Sequence, residues 1–408
     1  MRTIKIQIHP NNKQSTKLKQ TMNKCIEAQN IVFTMCKYYL DNNLKLPTCS
    51  YIRKEFTKIK KEKDLETINK RDGLTKKEQR EQHLDVLFYD VSNDSLKQMV
   101  KDTYNSFIRY FKKLCKYPNR KSFKDKHKSM YIDPYKIKFT TSKVKLEKIS
   151  SSLKENRQVL NWINLAEKDR IPLNVKYYNP RVIFDGYNFY LTVGLEDKDY
   201  PLKTKFLEKE SNPIGIDLNI NTFVTSNNDV YKNINSSRKI KKLTRRLKRY
   251  QRSISKKIEY SKRYKIKLST CKNFIKQKKQ IYNIYSKLRN LRENSYYQIS
   301  HLILSKNPKY IVTEDLDVKS MYKNKRIASL LQITGFRKFV NILENISSKY
   351  NIPIKKVDRY YPSSKMCSSC SHIKEKLSLS TRTYICSSCG LSINRDLNAS
   401  INLLNFKF

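Results

Sequence analysis

Four cysteines near one end of the chain constrain its architecture more than any other feature. Cys367-Ser-Ser-Cys370, then fifteen residues, then Cys386-Ser-Ser-Cys389 follow the spacing of two zinc knuckles. Each pair places two thiolates on one tight turn, and two such turns supply the four soft ligands of a tetrahedral zinc ion. Gly390 directly follows the second pair, where a knuckle needs a residue without a side chain. All four positions are thiolates and none is left for water, so the expectation is one structural Zn2+ rather than a catalytic one. Cys25, Cys36, Cys49, Cys115 and Cys271 are scattered and read as inert. The opening MRTIKIQIHP has neither the apolar stretch nor the small-residue cleavage site of a secretory signal. Metal therefore explains the cysteine cluster better than disulfides do. A cytoplasmic, nucleoid-associated prokaryotic protein is expected, with no membrane partner.

Charge narrows the partner. There are 86 Lys+Arg against 36 Asp+Glu, a formal net charge of +50. A codon bias that favours Lys explains part of this excess, but it does not explain why the charge is left uncompensated. A folded chain so charged repels itself unless a polyanion neutralises it, which points to nucleic acid. No apolar run reaches the roughly 18 residues of a membrane span. The 28 Tyr and 16 Phe suit stacking on bases, though most belong in the core.

Hydrophobic periodicity makes the chain an α/β multidomain protein. Residues 3–9 alternate as a half-buried strand, and residues 15–41 turn helical. Residues 54–87 are highly charged and broken near Asp72-Gly73, as two exposed helices or a hairpin would be. A helix is expected over 92–114 and a basic loop over 116–128. Residues 131–205 look β-rich, with a hairpin turning at Asp185-Gly186. Pro213 marks a boundary, followed by two strand-like runs in PIGIDLNINTFVTSNNDVY. Ile240, Leu243, Leu247, Ile254 and Ile258 form the single apolar stripe of a helix. Between Arg238 and Lys267 lie 15 Lys+Arg and one acid, Glu259, and a second helix follows from about 271 to 304. With opposite charges at i+4 nearly absent, this is a phosphate-facing helix pair rather than a solvated surface. Its candidate nucleic-acid contacts are Arg245, Arg246, Lys248, Arg249 and Arg252. YIVTEDLDV, residues 334–350 and residues 352–358 read as strand, helix and strand.

Three acids stand at revealing places: Asp217 ends the run Pro-Ile-Gly-Ile, Glu314 ends Tyr-Ile-Val-Thr, and Asp396 starts an apparent helix. A lone acid at a strand end is ordinarily a cap or turn residue. Several carboxylates on buried strands of a basic protein have another explanation, which is hard cations. Phosphodiester hydrolysis uses such a set to hold two Mg2+ ions about 3.5–4 Å apart. Asp315 and Asp317 lie nearby, but alternation puts Asp315 on the face opposite Glu314.

GIDLNIN, IVTEDLDV, VDRYYPSSKMCSSC, YICSSCG and NRDLNASINLL together resemble the TnpB (OrfB) family of transposon-encoded proteins. Miniature type V CRISPR effectors and eukaryotic Fanzor proteins look similar. The resemblance covers the whole chain in order, loosely over 1–205 and sharply over 213–408. It implies an RNase H-like (RuvC) domain, split in sequence over 211–362 and 394–408, whose catalytic, Mg2+-binding triad is Asp217, Glu314 and Asp396. It further implies a zinc-binding target-nucleic-acid module at 363–393, held by Cys367, Cys370, Cys386 and Cys389. A β-barrel-like wedge domain would comprise 1–10 and 131–210, carrying a helical recognition domain at 11–130. The implied activity is RNA-guided cutting of double-stranded DNA beside a short flanking motif, with a guide RNA and target DNA as partners. The sequence leaves oligomeric state open. Other functions for the same residues are a nuclease-inactive guided DNA-binding regulator and a DNA-joining transposase. The family's usual His-Asp before Arg-Asp is Ile393-Asn394 here, a frequent Gly after the first knuckle is Ser371, and Phe336 stands near a frequent Trp. None of these departures removes a metal ligand.

Overall fold

A computed structural model describes residues 2–75, 86–148, 161–199, 212–268, 271–316, 334–378 and 381–407, with 78, 79, 82, 84 and 328. It divides into two compact units, Met1–Leu202 and Lys203–Phe408.

In the first unit, strand β1 (Arg2–His9) buries Ile4, Ile6 and Ile8 and turns the residues between them outward, as alternation predicts. Helix α1 (Asn12–Asp41) begins earlier than the apolar periodicity suggests. A capping box explains this: Gln14 N–H donates to Asn11 Oδ1 and Asn11 N–H to Gln14 Oε1, both at 2.9 Å. Helices α2 (Cys49–Asn69) and α3 (Asn93–Phe111) follow. The charged 54–87 stretch thus starts inside a helix already under way at Cys49 and leaves it near Gly73, where φ is +74°. The remaining strands are β2 (Lys128–Tyr131), β3 (Lys138–Phe139), β4 (Lys143–Lys145), β5 (Trp162–Leu165), β6 (Tyr178–Phe184) and β7 (Phe189–Leu195). They form an antiparallel sheet in the order β2-β6-β7-β1-β5-β4-β3. Leu18 and Met22 of α1, Met99 and Phe107 of α3, and Ile6, Val182 and Leu191 of the sheet share one core.

The second unit is built on a five-stranded sheet. Its strands are β8 (Ile214–Leu218), β9 (Thr222–Thr225), β10 (Val230–Lys232), β11 (Ile311–Glu314) and β12 (Ile354–Val357). Their order is β10-β9-β8-β11-β12, antiparallel from β10 to β8 and parallel from β8 to β12. Between β10 and β11 run the basic helix α4 (Arg238–Arg263) and helix α5 (Lys272–Leu304); α6 (Phe336–Ser347) precedes β12. The short pair β13 (Thr383–Ile385) and β14 (Ser392–Asn394) leads into the terminal helix α7 (Arg395–Leu404).

Strand alternation gives this sheet two different faces. Ile214, Ile216, Leu218 and Ile311 pack with Ile299 and Ile303 of α5 and with Phe339 and Leu343 of α6. Gly215 and Val312 face α7, where Val312 joins Val357 and Leu403. Both faces of β8 are therefore covered, and its run of five buried residues follows. At Gly215 the helix lies on the strand backbone itself: a Cβ there would be 2.1 Å from the Ser400 carbonyl oxygen. Gly215→Ala should force α7 off the sheet and destabilise the protein by about 1–3 kcal/mol. Denaturant unfolding checks this, and an unchanged midpoint would contradict the packing.

Candidate active site and metal centre

The close approach at Gly215 determines where three carboxylates lie. Asp217 is two residues further along β8, hence on the same α7-facing side. Glu314 is two residues beyond Val312 on β11, and the pairing Thr313↔Ile216 brings it level with Asp217. Asp396 sits in the first turn of α7, one helical turn before Ser400. Three sequence-predicted acids, far apart in the chain, thus meet at one end of the sheet.

Electrostatics records their proximity. Burial, then the Glu314 charge and then the Asp396 charge push the Asp217 carboxyl well above the usual carboxylate range. A hydrogen bond from Asn219 Nδ2 to Asp217 Oδ2 at 2.5 Å and the nearby Arg395 guanidinium oppose the rise without cancelling it. Burial likewise raises Glu314, against a 2.8 Å hydrogen bond from Ser363 Oγ to its Oε1. Arg395 Nε is 3.5 Å from Asp396 Oδ1. Asp315, one residue past the end of β11, is exposed and pairs with Arg359 Nη2 at 3.0 Å; Asp317 lies outside the described residues. Clustered, partly buried carboxylates of this kind are hard oxygen donors suited to Mg2+.

The four cysteines also converge. Their Sγ atoms all lie within 4.8 Å of one another, with Cys367–Cys389 at 3.6 Å and Cys370–Cys386 at 3.5 Å. Four sulfurs about 2.3 Å from a central zinc would be about 3.8 Å apart, so the set fits a tetrahedral ion. Backbone N–H groups of Cys389 and Ser388 favour the Cys386 thiolate and lower its pKa against desolvation. Gly390 has φ +73° directly after the second knuckle, and Ser371 takes the same left-handed conformation, φ +61°, after the first. The first knuckle therefore carries the backbone strain that glycine avoids in the second.

Several residues that build the site escaped the sequence reading. Strand β14 ends at Asn394, which is also the N-cap of α7: its Oδ1 accepts from Asp396 N at 2.9 Å and Leu397 N at 3.2 Å. Asn at this position makes a good cap without adding the charge that Asp would bring. Buried Asn398 and Asn402 tie α7 to the first knuckle. Asn398 Nδ2 donates to Met366 O at 2.6 Å and its Oδ1 accepts from Ser368 N at 2.9 Å. Asn402 Nδ2 donates to Ser363 O at 2.8 Å and Met366 O at 2.7 Å. The preference of Asn for caps was a usable signal at 394; at 398 and 402 the same residue type resembles ordinary helix surface.

Helices α4 and α5 form an antiparallel pair around Ile240, Leu247, Ile284 and Leu288. Its apolar stripe thins toward the far end, where Ile258 is exposed. Arg245, Arg246, Lys248, Arg249 and Arg252 are all exposed on α4. Arg245, Lys248, Arg249 and Arg252 share one face of α4 with Ser253 and Lys256. Arg246 stands apart, over the ring of Tyr250 and 3.2 Å from its hydroxyl. These basic residues are not part of the carboxylate cluster. Among the described residues, no helix is long and apolar enough to cross a membrane.

Comparison with known proteins matches two family models: residues 200–325 to one described as "Probable transposase" (OrfB_IS605), and residues 336–403 to "Cas12f1-like, TNB domain". A protein of Streptomyces pristinaespiralis named an RNA-guided DNA endonuclease is 24% identical over 315 residues, covering 77% of this chain and 71% of its own. The Escherichia coli protein InsQ, named likewise, is 24% identical over 331 residues, covering 77% and 74%. TnpB-like protein L79 of Acanthamoeba polyphaga mimivirus is 29% identical over 126 residues, 29% of this chain and 24% of its own. Among solved structures, a Cas12f1-sgRNA-target DNA complex aligns over 99% of this chain and 98% of its own, at 13% identity and TM-score 0.32. A CRISPR-Cas12f ternary complex aligns over 96% and 81%, at 14% and 0.37.

The raised carboxyls make stability depend on pH with a definite sign. A group whose folded pKa lies above its unfolded value binds more protons when folded. Its contribution is present below the ordinary carboxylate range and is lost as pH rises through the raised value. Metal-free protein should therefore lose stability across that window, and Asp217→Asn should lose less. Mg2+ at neutral pH should stabilise wild type more than the variant. Thermal melts of both proteins, with and without Mg2+, check this; identical responses would contradict it.

Proposed function

Since the chain belongs to the TnpB (OrfB) family, we propose that it is an RNA-guided DNA endonuclease with one RuvC-type centre at Asp217, Glu314 and Asp396. The observation that carries the proposal is the convergence of these carboxylates from β8, β11 and α7, with Asp217 buried beside the other two. Like charges gathered in a partly buried place are costly unless a cation offsets them. The mixed sheet, antiparallel on one side of β8 and parallel on the other, supports an RNase H-like reading of residues 211–362 and 394–408.

Bound Mg2+, two ions in this reading, would supply Lewis acidity at the scissile phosphate and a water activated for attack. The chain's own groups do the positioning. Asn219 orients Asp217, Ser363 orients Glu314, and the Asn394 cap with Arg395 holds Asp396. Zn2+ on Cys367, Cys370, Cys386 and Cys389 would brace the module that leads into α7. The basic face of α4 supports contact with phosphates of a guide RNA or its heteroduplex with target DNA. In the front unit, the wedge assignment of 1–10 and 131–210 and the recognition assignment of 11–130 belong to the same proposal, as does motif reading there.

The test is cleavage of a double-stranded target by the protein purified with its RNA. Asp217→Ala should lower cleavage at least about 10³-fold while RNA and target binding persist, since the carboxylate acts only through the chemistry. Unaltered cleavage would exclude the centre. Target binding without a product in wild type would favour a guided regulator, and strand-transfer products without RNA would favour a transposase.

A further inference from the structure

The loop after β12, bonded to Glu314 through Ser363, carries an exposed aromatic ring. Strand β12 ends at Val357, paired with Glu314, so residues 358–363 leave the sheet at its acidic end. The loop is fastened to the last residue of β11 and to the residue that follows it. Arg359 Nη2 bonds Asp315 at 3.0 Å, and Ser363 Oγ bonds Glu314 at 2.8 Å. Between these anchors, Asp358 Oδ1 accepts from Tyr360 N at 2.8 Å, and Tyr361 N donates to Asp358 O at 3.1 Å. The two neighbouring tyrosines have opposite fates. Tyr361 packs edge-on to Phe406, 5.0 Å between centroids, with its hydroxyl 3.2 Å from Asn402 O, whereas Tyr360 is 86% exposed.

We propose that Tyr360 forms a stacking site for an unpaired nucleobase of the DNA strand presented to Asp217, Glu314 and Asp396. A rigid backbone displaying a bare aromatic ring suits this role, because little conformational entropy remains to be lost when a flat partner arrives. The ring supplies a π-face that any base can use, as a nuclease indifferent to sequence at the cut requires. The carboxylates repel phosphates when no cation is present, so a neutral, apolar contact on the loop that holds Glu314 can help hold the strand. Duplex DNA keeps its bases stacked internally, hence the ligand is single-stranded or locally unpaired DNA. Tyr360 is a positioning residue here and takes no part in bond making.

This inference rests on the endonuclease reading, and the test separates the two. The protein purified with its RNA is mixed with single-stranded oligonucleotides carrying 2-aminopurine at successive positions. Wild type and Tyr360→Phe should quench fluorescence at one position, whereas Tyr360→Ala should still bind but leave that position bright. In cleavage assays Tyr360→Ala should raise KM about tenfold with kcat little changed, and Tyr360→Phe should restore it. Its melting temperature should match wild type, since the ring is exposed. Equal quenching by Tyr360→Ala, or a Phe variant as defective as Ala, would overturn the stacking site. Quenching that depends on Tyr360 without cleavage under any metal would uphold the site and sink the endonuclease reading. Cleavage insensitive to Tyr360, with no quenching, would do the reverse.

Discussion

Helix α7 can lie on strand β8 only because residue 215 has no side chain; any Cβ there would run into the Ser400 carbonyl. That contact sets the height of α7 above the sheet and brings its first turn over Asp217. The same packing buries Val312 and Leu403, so the apolar contacts that hold the helix also aim Glu314 and Asp396 at one place. Without it the three acids would be isolated strand-end and cap residues, each exposed to water and charged at little cost. Brought together and partly buried, they become a group whose charges need a cation.

The cysteine module belongs to this same arrangement. Strand β14 runs without a linker into α7, and Asn394 closes one element while capping the next. Asn398 and Asn402 reach back from α7 to the backbone around Met366, just before the first knuckle, and Asn402 also holds the carbonyl of Ser363, whose hydroxyl holds Glu314. A metal held by the four thiols would therefore reinforce the very turns against which α7 is fixed. The four-cysteine cluster and the carboxylate cluster share one set of hydrogen bonds, although no side chain is common to both. Ser371, in a conformation glycine would adopt more easily, shows that the first knuckle tolerates some strain within this frame.

Much of this was legible in the sequence because the signals were periodic or chemically rare. Alternation marked β1, an apolar run ending in acids marked β11, the cysteine spacing marked the knuckles, and the lopsided charge marked α4. The acids at the ends of apolar runs were legible as a set, though their meeting depended on a fold supplied by resemblance. What stayed hidden depended on distance in the chain. Asn398, Asn402 and Ser363 act through contacts 30 to 49 residues away, and nothing local distinguishes them from surface residues. Two further signals were present but unread. Asn11-x-x-Gln14 announced the start of α1, and a glycine inside the buried strand at 215 announced a backbone approached closely from above.

In the proposed centre, Asp217, Glu314 and Asp396 bind divalent cations together. Titrating RNA-free protein with Mn2+ and following it by electron paramagnetic resonance tests this without relying on a guide, a target or turnover. Saturable binding of about two ions per chain is expected, with the spectral coupling of neighbouring ions, and its loss in Glu314→Gln. Binding that is absent in wild type, or the same in the variant, would contradict it.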